Sequence, residues 1–415
     1  MNSRWPARRN NAMQTDCLIL GGGAAGLAAA CALQDSGLSV TILEKLDRVG
    51  KKILATGNGR CNLSNLDMNP AYYGEAEAFV RTVYEETPPE AVRAFFEKLG
   101  LMTASEDGRL YPRTMAASSV LDVLRAGCAK KNITILTGKE VTRLLPSRRG
   151  GWSIQTADGE GFFAPRVLMA MGGSAAPNMG TDGSGTRLCD ALGHSVSALH
   201  PALVQLRCKH AALRSLKGIR VHAALTLTAG RESASETGEL LFADYGVSGV
   251  CVFQLSRLAS PALAAGKPVA LTVNFLPEIE HPASWLDGRI ALLSETTALT
   301  LMTGVLPRLL TQAILKEAQI APDTPAADLT AAQKHALLDA LFAFPLPVTG
   351  TQGFQSAQVT RGGVLLDEID PHTLQSRLFD GLYFAGEVLD VDGPCGGYNL
   401  HFAFASALTA VKAML

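Results

Sequence analysis

The stretch DCLILGGGAAGLAAACALQDSGLSVTILEK, residues 16–45, constrains the fold more than any other part of this chain. It reads as strand, tight turn, helix, turn, strand. Leu18 to Leu20 is an apolar run, and Ala24 to Leu33 is dominated by good helix formers. Gly37 lies where a glycine ends a helix, and SVTILE is a second apolar strand closing on an acid. Gly21, Gly23 and Gly26 complete a G-x-G-x-x-G. The first glycine permits the turn, the second lets backbone approach a pyrophosphate, and the third lets helix meet strand closely. Ala24 and Ala25 open the helix, whose free N–H groups and positive dipole end favour phosphates. Glu44 follows Gly26 at about the distance where an acid accepts hydrogen bonds from adenosine ribose hydroxyls, and its charge repels a 2′-phosphate. With the strand before, the helix after and the acid in place, the pattern points to a dinucleotide site rather than a structural glycine turn.

The bulk composition allows a large core. The 415 residues are 47% hydrophobic and 18% charged, which suggests two or three domains and no extended disorder. The net charge is −1 with both signs spread along the chain, so neither a nucleic-acid partner nor an anionic membrane surface is expected. Eight cysteines are scattered without a C-x-x-C, and no H-E-x-x-H occurs; no metal site is expected. Single cysteines without a signal peptide read as reduced thiols of a cytoplasmic protein. Cys17 to Gln34 carries no charge and imitates a membrane span, but Gly21, Gly22, Gly23 and Gly26 interrupt it, so no membrane association is expected.

A second glycine turn precedes a helix near the other end, in GPCGGYNLHFAFASA from Gly393. Between the two turns, TPPEAVRAFFEKLG reads as a helix with Thr87 as N-cap, Glu90 completing a capping box and Gly100 past its end. ITILTGKEVTRLL, GWSIQTADG and PRVLMAMGG read as strands, a small three-stranded piece and a strand leading back to Gly172 and Gly173. From about His194 short strands with turn signals follow (LVQLRC, HAALTLTA, ELLFA, PVALTVNFLP). From Trp285 to Phe344 the apolar spacing is helical, with Thr330 and Gln333 at capping-box spacing.

Several blocks resemble those of the YhiN/BaiN-like bacterial flavoproteins, a family of NAD(P)/FAD-dependent oxidoreductases. They are GKKILATGNGRCNLSN from Gly50, GRLYPRT from Gly108, MGGSAAPNMGTDGSGTRLCDALGH from Met171, GVSGVCVFQLSR from Gly246, and the long run from Gln358 to Ala407. They stand in the family's order over essentially the whole chain.

The resemblance implies an α/β fold: a Rossmann-like FAD-binding domain of the two-dinucleotide-binding type, with an inserted β-rich domain and a helical domain. The expected boundaries are an extension over 1–12, the FAD domain over 13–194 and 349–415, and insertions over 195–280 and 281–348. FAD is the implied cofactor. Its pyrophosphate is expected on the first glycine loop, with Lys45, Lys52 and Val141 among the contacts, and its ribityl chain along Gly386 and Glu387. The ring is expected near Asn58, Arg60, Cys61, Asn62, Gly172 and Gly173. Gly396, Gly397, Tyr398 and Asn399 are expected at the pyrimidine edge, where a helix N-terminus favours the charge that builds on reduction. Two helix N-termini thus hold opposite ends of one cofactor.

The flavin carries the reaction through N5, and the protein supplies orientation and electrostatics. Arg60 is a candidate oxyanion stabiliser, with a loop-anchoring salt bridge as its alternative role. Cys61 is a candidate thiol, or a small buried residue. Tyr398 is a candidate proton donor, or a ring-packing residue. Tyr111 and Arg113 are candidate pocket residues, and Arg361 a candidate flavin or phosphate contact. The histidines, His401 included, read as packing or surface residues. Because no second G-x-G-x-x-G follows a strand, NADH or NADPH is expected as a transient donor at the open flavin face; another donor, or O2 in an amine or aminoketone oxidase, is the alternative. A small organic molecule is the expected substrate, with a non-enzymatic or RNA-modification-linked flavoprotein as the contrasting reading.

Overall fold

The computed structural model describes residues 12–148 and 150–415. The expected extension lies outside the described residues except for Ala12. The described chain forms two compact units, one ending at His200 and resuming at Gln358, the other Pro201–Ala357.

In the first unit, a parallel sheet of five strands carries the glycine loops. The strands are β1 (Cys17–Leu20), β2 (Val40–Glu44), β3 (Ile133–Thr137), β4 (Arg166–Met169) and β5 (Leu382–Phe384), in spatial order β5-β4-β1-β2-β3. Every residue of β1 and β2 is buried, as expected of parallel strands covered on both faces. The chain runs outward from β1 to β3, returns to β4 on the other side, and ends at β5. The order therefore reverses at β1, and such a switch point opens a crevice at the carboxyl ends of the strands. Gly21 to Gly23 leave β1 at that crevice.

Helix α1 (Ala24–Ala32) follows at once and is buried on nearly every side. It packs on helix α2 (Tyr398–Met414), the last element of the chain. Thirteen of the seventeen residues of α2 are buried, so this helix is core rather than cover. Its polar side chains each find a partner. The Thr409 hydroxyl meets that of Thr87 at 2.9 Å, and the Ser64 hydroxyl meets His401 Nδ1 at 2.8 Å. Ser406 Oγ accepts from the Gly386 N–H at 3.0 Å and donates to the Phe402 carbonyl at 2.6 Å.

The Ser406 pair makes a test of this packing. Ser406→Ala strands a buried N–H at Gly386, and we expect a loss of about 1–3 kcal/mol in urea unfolding. A loss within the error of the measurement would show that the Gly386 amide has another outlet.

Three local readings change. Helix Pro89–Lys98 starts one residue later than Thr87 as N-cap requires, with no side-chain cap, because the Thr87 hydroxyl is taken by Thr409. Helix α1 ends at Ala32 with a short turn before Gly37. The three-stranded piece (Val141–Pro146, Trp152–Thr156, Gly161–Ala164) gains a fourth strand, Met13–Gln14, parallel to Gly161–Ala164.

In the second unit, six antiparallel strands close a barrel: Leu206–Cys208, Arg220–Ala229, Glu232–Ala243, Gly246–Ser248, Val269–Asn274 and Phe344–Thr351. Helix Ala331–Phe342 opens with the Thr330–Gln333 capping box. The stretches read as β-rich and helical share one apolar core in which Leu225, Leu271 and Phe344 of the barrel are fully buried with Leu310, Ile314 and Leu341 of the helices.

Candidate functional site

The three glycines of the first loop do different work. A Cβ on Gly26 would lie 1.9 Å from the Gly21 carbonyl oxygen, so only glycine lets α1 meet the turn. A Cβ on Gly23 would meet nothing within 4 Å. That open space lies at the N-terminus of α1, which has no side-chain cap and no acid in its first turn. The first N–H groups of the helix are therefore unspent.

Glu44, at the end of β2, reaches across to the same loop. One carboxylate oxygen accepts from the Gly22 N–H at 2.9 Å and the other from the Leu46 N–H at 2.8 Å. Each oxygen keeps a lone pair for a ribose hydroxyl. The Glu44 carbonyl accepts from Lys139 N at 2.9 Å, which places Val141, two residues on, near this corner. Lys45 does not run free into the site: its ammonium pairs with Asp182 at 2.9 Å.

The second half of the site is assembled from distant segments. Gly386, by its would-be Cβ, stands 3.3 Å from Ala25 of α1 and 3.4 Å from Ala403 of α2. Glu387 beside it accepts from Lys52 Nζ at 2.8 Å and from the Thr360 N–H at 2.9 Å. Lys52 and Glu387, expected separately as cofactor contacts, are thus one ion pair, each about one-fifth exposed. Thr360 Oγ1 accepts from the Ser174 and Ala175 N–H groups at 2.7 and 2.9 Å. The Gly172–Gly173 turn is tied to the same place, since a Cβ on Gly173 would sit 2.4 Å from Thr360 Oγ1.

Gly396 and Gly397 dock on the block at 61–65. Asn65 Nδ2 donates to the Gly396 carbonyl at 3.0 Å. Gly397, at φ +99°, would bring a Cβ within 2.4 Å of the Ser64 carbonyl and 2.9 Å of Asn62 Oδ1. That Asn62 oxygen is buried and has no hydrogen-bond partner. Helix α2 also starts with no side-chain cap and no acid in its first turn.

The ring candidates separate by chemistry. Arg60 is committed: its guanidinium pairs with Glu106 at 3.1 Å and lies 4.5 Å above the Tyr111 ring. Those contacts favour the anchoring role over the oxyanion role and bury Tyr111 beneath it. Cys61 is fully buried, and burial pushes its thiol up to about 11, so it is neither thiolate nor accessible at neutral pH. Asn58 is exposed, at φ +55°, on the loop beside them. Asn399 braces the turn by accepting from Gly393 N at 2.8 Å and donating to its carbonyl at 2.9 Å. Tyr398 packs edge-on to Tyr72 at 5.2 Å, and its hydroxyl makes no hydrogen bond among the described residues. Burial, with Tyr72 and Asp67 nearby, pushes it up to about 12, so it stays protonated.

Sequence reasoning passed over Thr360, Ser64 and Asn65 as site residues, although all three lie within the quoted blocks. They hold other residues through single hydrogen bonds, which no spacing announces.

A switch-point crevice with an open glycine cradle, a ribose-ready carboxylate and a second uncapped helix fits an extended adenine dinucleotide. With that geometry, the chain is an FAD-dependent oxidoreductase of Rossmann type. It matches the HI0933-like protein Rossmann domain over residues 15–413 and belongs to that family. It is 41% identical over 401 residues to the 3-dehydro-bile acid delta(4,6)-reductase of Clostridium scindens, covering 95% of this chain and 98% of that protein. It is 28% identical to the ribosomal RNA dihydrouridine synthase of Escherichia coli, covering 96% and 98%. Among solved structures, 3-ketosteroid delta1-dehydrogenase from Sterolibacterium denitrificans aligns with a TM-score of 0.51 and 14% identity, covering 97% and 99%; this likeness concerns the fold alone. No helix among the described residues is long and apolar enough to cross a membrane.

Proposed function

We propose that the chain reduces a carbon–carbon double bond conjugated to a carbonyl, in a small steroid-like molecule, with NADH or NADPH as electron source. The observation that carries this reading is the full-length 41% identity to a protein named for reducing such bonds in 3-dehydro-bile acids. The more distant relative is named for making dihydrouridine, which also adds hydrogen across a double bond conjugated to a carbonyl.

Bound FAD supplies the hydride chemistry. In this reading Gly23 and the first turn of α1 hold its phosphates, and Glu44 its adenosine ribose. The Lys52–Glu387 pair and the Thr360 hub fix the segments that flank the ribityl chain. The reaction further needs a proton for the α-carbon and a positive or donating group at the carbonyl oxygen. Tyr398, protonated and uncommitted, is suited to donate; Arg60 and Cys61 are not.

The test is anaerobic. Holoenzyme is mixed with NADH or NADPH and a 3-oxo-Δ4,6 steroid, and product is read by mass spectrometry. A gain of hydrogen at the double bond is expected. Flavin bleached by the pyridine nucleotide with no enone or dienone reduced would overturn the substrate class. Dihydrouridine formed in added ribosomal RNA instead would move the reading to nucleic acid.

A further inference from the structure

Beside the Lys52–Glu387 pair lies a group of charged side chains that the cofactor contacts leave unused. Three backbone segments come together there. Val196 bridges Val364 antiparallel, and Val364 bridges Leu389 in parallel. Ser197 Oγ donates to Asp390 Oδ2 at 2.7 Å and accepts from the Gly363 N–H at 3.0 Å. Gly363 itself is pressed on the next segment, its would-be Cβ 2.5 Å from the Leu389 carbonyl carbon.

Arg361 is placed in this corner. Its guanidinium is one-third exposed and makes a single loose approach, 3.9 Å to Asp392 Oδ1. Among the described residues it makes no hydrogen bond. An arginine carries five N–H donors in a fixed fork, and leaving all of them unspent in a half-buried corner is costly unless a ligand oxygen takes them. Arg60, by contrast, has its fork occupied. Arg361 also adjoins Thr360, the hub that joins Glu387 to the Gly172–Gly173 turn. Asp390 follows Glu387 by three residues, so the corner and the proposed flavin contacts share two segments.

We infer that Arg361 is the clamp for the substrate carbonyl oxygen and for the enolate-like oxyanion that develops on it, with Asp390 setting how much of its charge is free. This inference rests on the enone-reduction reading. The guanidinium is available to an oxyanion when Asp390 is protonated, and is partly neutralised when Asp390 ionises. Burial pushes the Asp390 carboxyl above the usual range; Ser197 and Arg361 pull it down, while Asp392 and Glu75 push it further up. His200 faces the same corner, its affinity for a proton lowered by burial and by Arg361 and raised by Asp390. Asp390, Asp392, Glu75, His200 and Arg361 are the charged groups whose balance determines the clamp.

The probe is pentafluorophenolate, an oxyanion mimic ionised throughout the working range, titrated into holoenzyme and followed by the flavin absorbance. Wild type is expected to bind less tightly as pH rises, by about tenfold overall, the effect of one unit of coupling. Arg361→Gln is expected to weaken binding at least about tenfold at every pH and remove that dependence. Arg361→Lys restores part of the affinity, since the charge returns without the fork. Asp390→Asn keeps the tight form across the range. Flavin content of each variant is read in the same spectra, and if Arg361→Gln fails to load flavin, Arg361→Lys decides. Wild-type binding by the flavin-loaded charge-removing variant, or by the lysine variant with unchanged pH dependence, overturns the clamp. An unaltered pH dependence in Asp390→Asn overturns the role of Asp390. If wild type shows this pattern but reduces no enone, the substrate reading fails and the clamp stands. If Arg361→Gln reduces enones at the wild-type rate, the clamp fails and the reading stands.

Discussion

Replacing Gly23 with alanine is expected to give a folded, colourless protein. The two halves of that result have separate causes. Gly23 sits at φ −85°, ψ −161°, an extended conformation that any residue adopts, and its Cβ would meet no atom within 4 Å. The apoprotein should therefore keep its stability to within about 0.5 kcal/mol, with a small gain from a stiffer unfolded chain. The same methyl fills the space at the uncapped end of α1 where a pyrophosphate must approach the backbone. A loss of about 100-fold or more in FAD affinity follows, close to 3 kcal/mol. The check is the flavin-to-protein ratio together with thermal unfolding of the variant beside flavin-stripped wild type. Gly26→Ala is the contrasting variant. Its Cβ would fall 1.9 Å from the Gly21 carbonyl oxygen, so it should fail in the fold itself. Should Gly23→Ala purify yellow with unaltered affinity, the pyrophosphate does not lie on this loop.

The contrast between these glycines shows what was legible in the sequence. A turn that must leave one strand, clear one ligand and start one helix has few chemical solutions, so Gly21, Gly23, Gly26 and Glu44 announce themselves by spacing. The parallel strands do so by uninterrupted apolar runs, and the capping box at Thr330 by its two side chains. What was not legible depends on distances between segments far apart in the chain. Lys52 and Glu387 read as two contacts and are one pair, 335 residues apart. Thr87 has the right type for an N-cap and gives its hydroxyl to Thr409, 322 residues away. Arg60 and Arg361 look alike in sequence; one is spent on Glu106 and Tyr111, and the other has only a distant carboxylate. Local patterns encode elements and loops, whereas the commitment of a polar side chain is decided by tertiary packing.

Helix α2 raises the same issue for His401, read from sequence as packing or surface. It is wholly buried, with Ser64 on Nδ1, the Tyr84 ring edge-on at 5.3 Å, and no partner for Nε2. Burial, with a smaller contribution from Arg93, lowers its proton affinity from 6.5 to about 3. A base held neutral in this way binds fewer protons folded than unfolded. Its contribution to stability is complete above pH 6.5 and is lost as the medium is acidified toward pH 3. The slope approaches about 1.4 kcal/mol per pH unit, and the whole loss is on the order of 4 kcal/mol. His401→Gln keeps an acceptor for Ser64 and cannot charge. Urea unfolding at fixed, saturating FAD should find it no more stable than wild type near neutrality and markedly more stable near pH 4. The difference between the two curves isolates this residue from the carboxylates and from His372, whose pairing with Glu86 raises it and acts in the opposite sense. Parallel curves for wild type and variant would mean that His401 titrates alike in both states, and that α2 opens to water before the fold is lost. Because α2 carries Gly397 and the uncapped amides beside it, acid should then release flavin and unfold the helix in one transition.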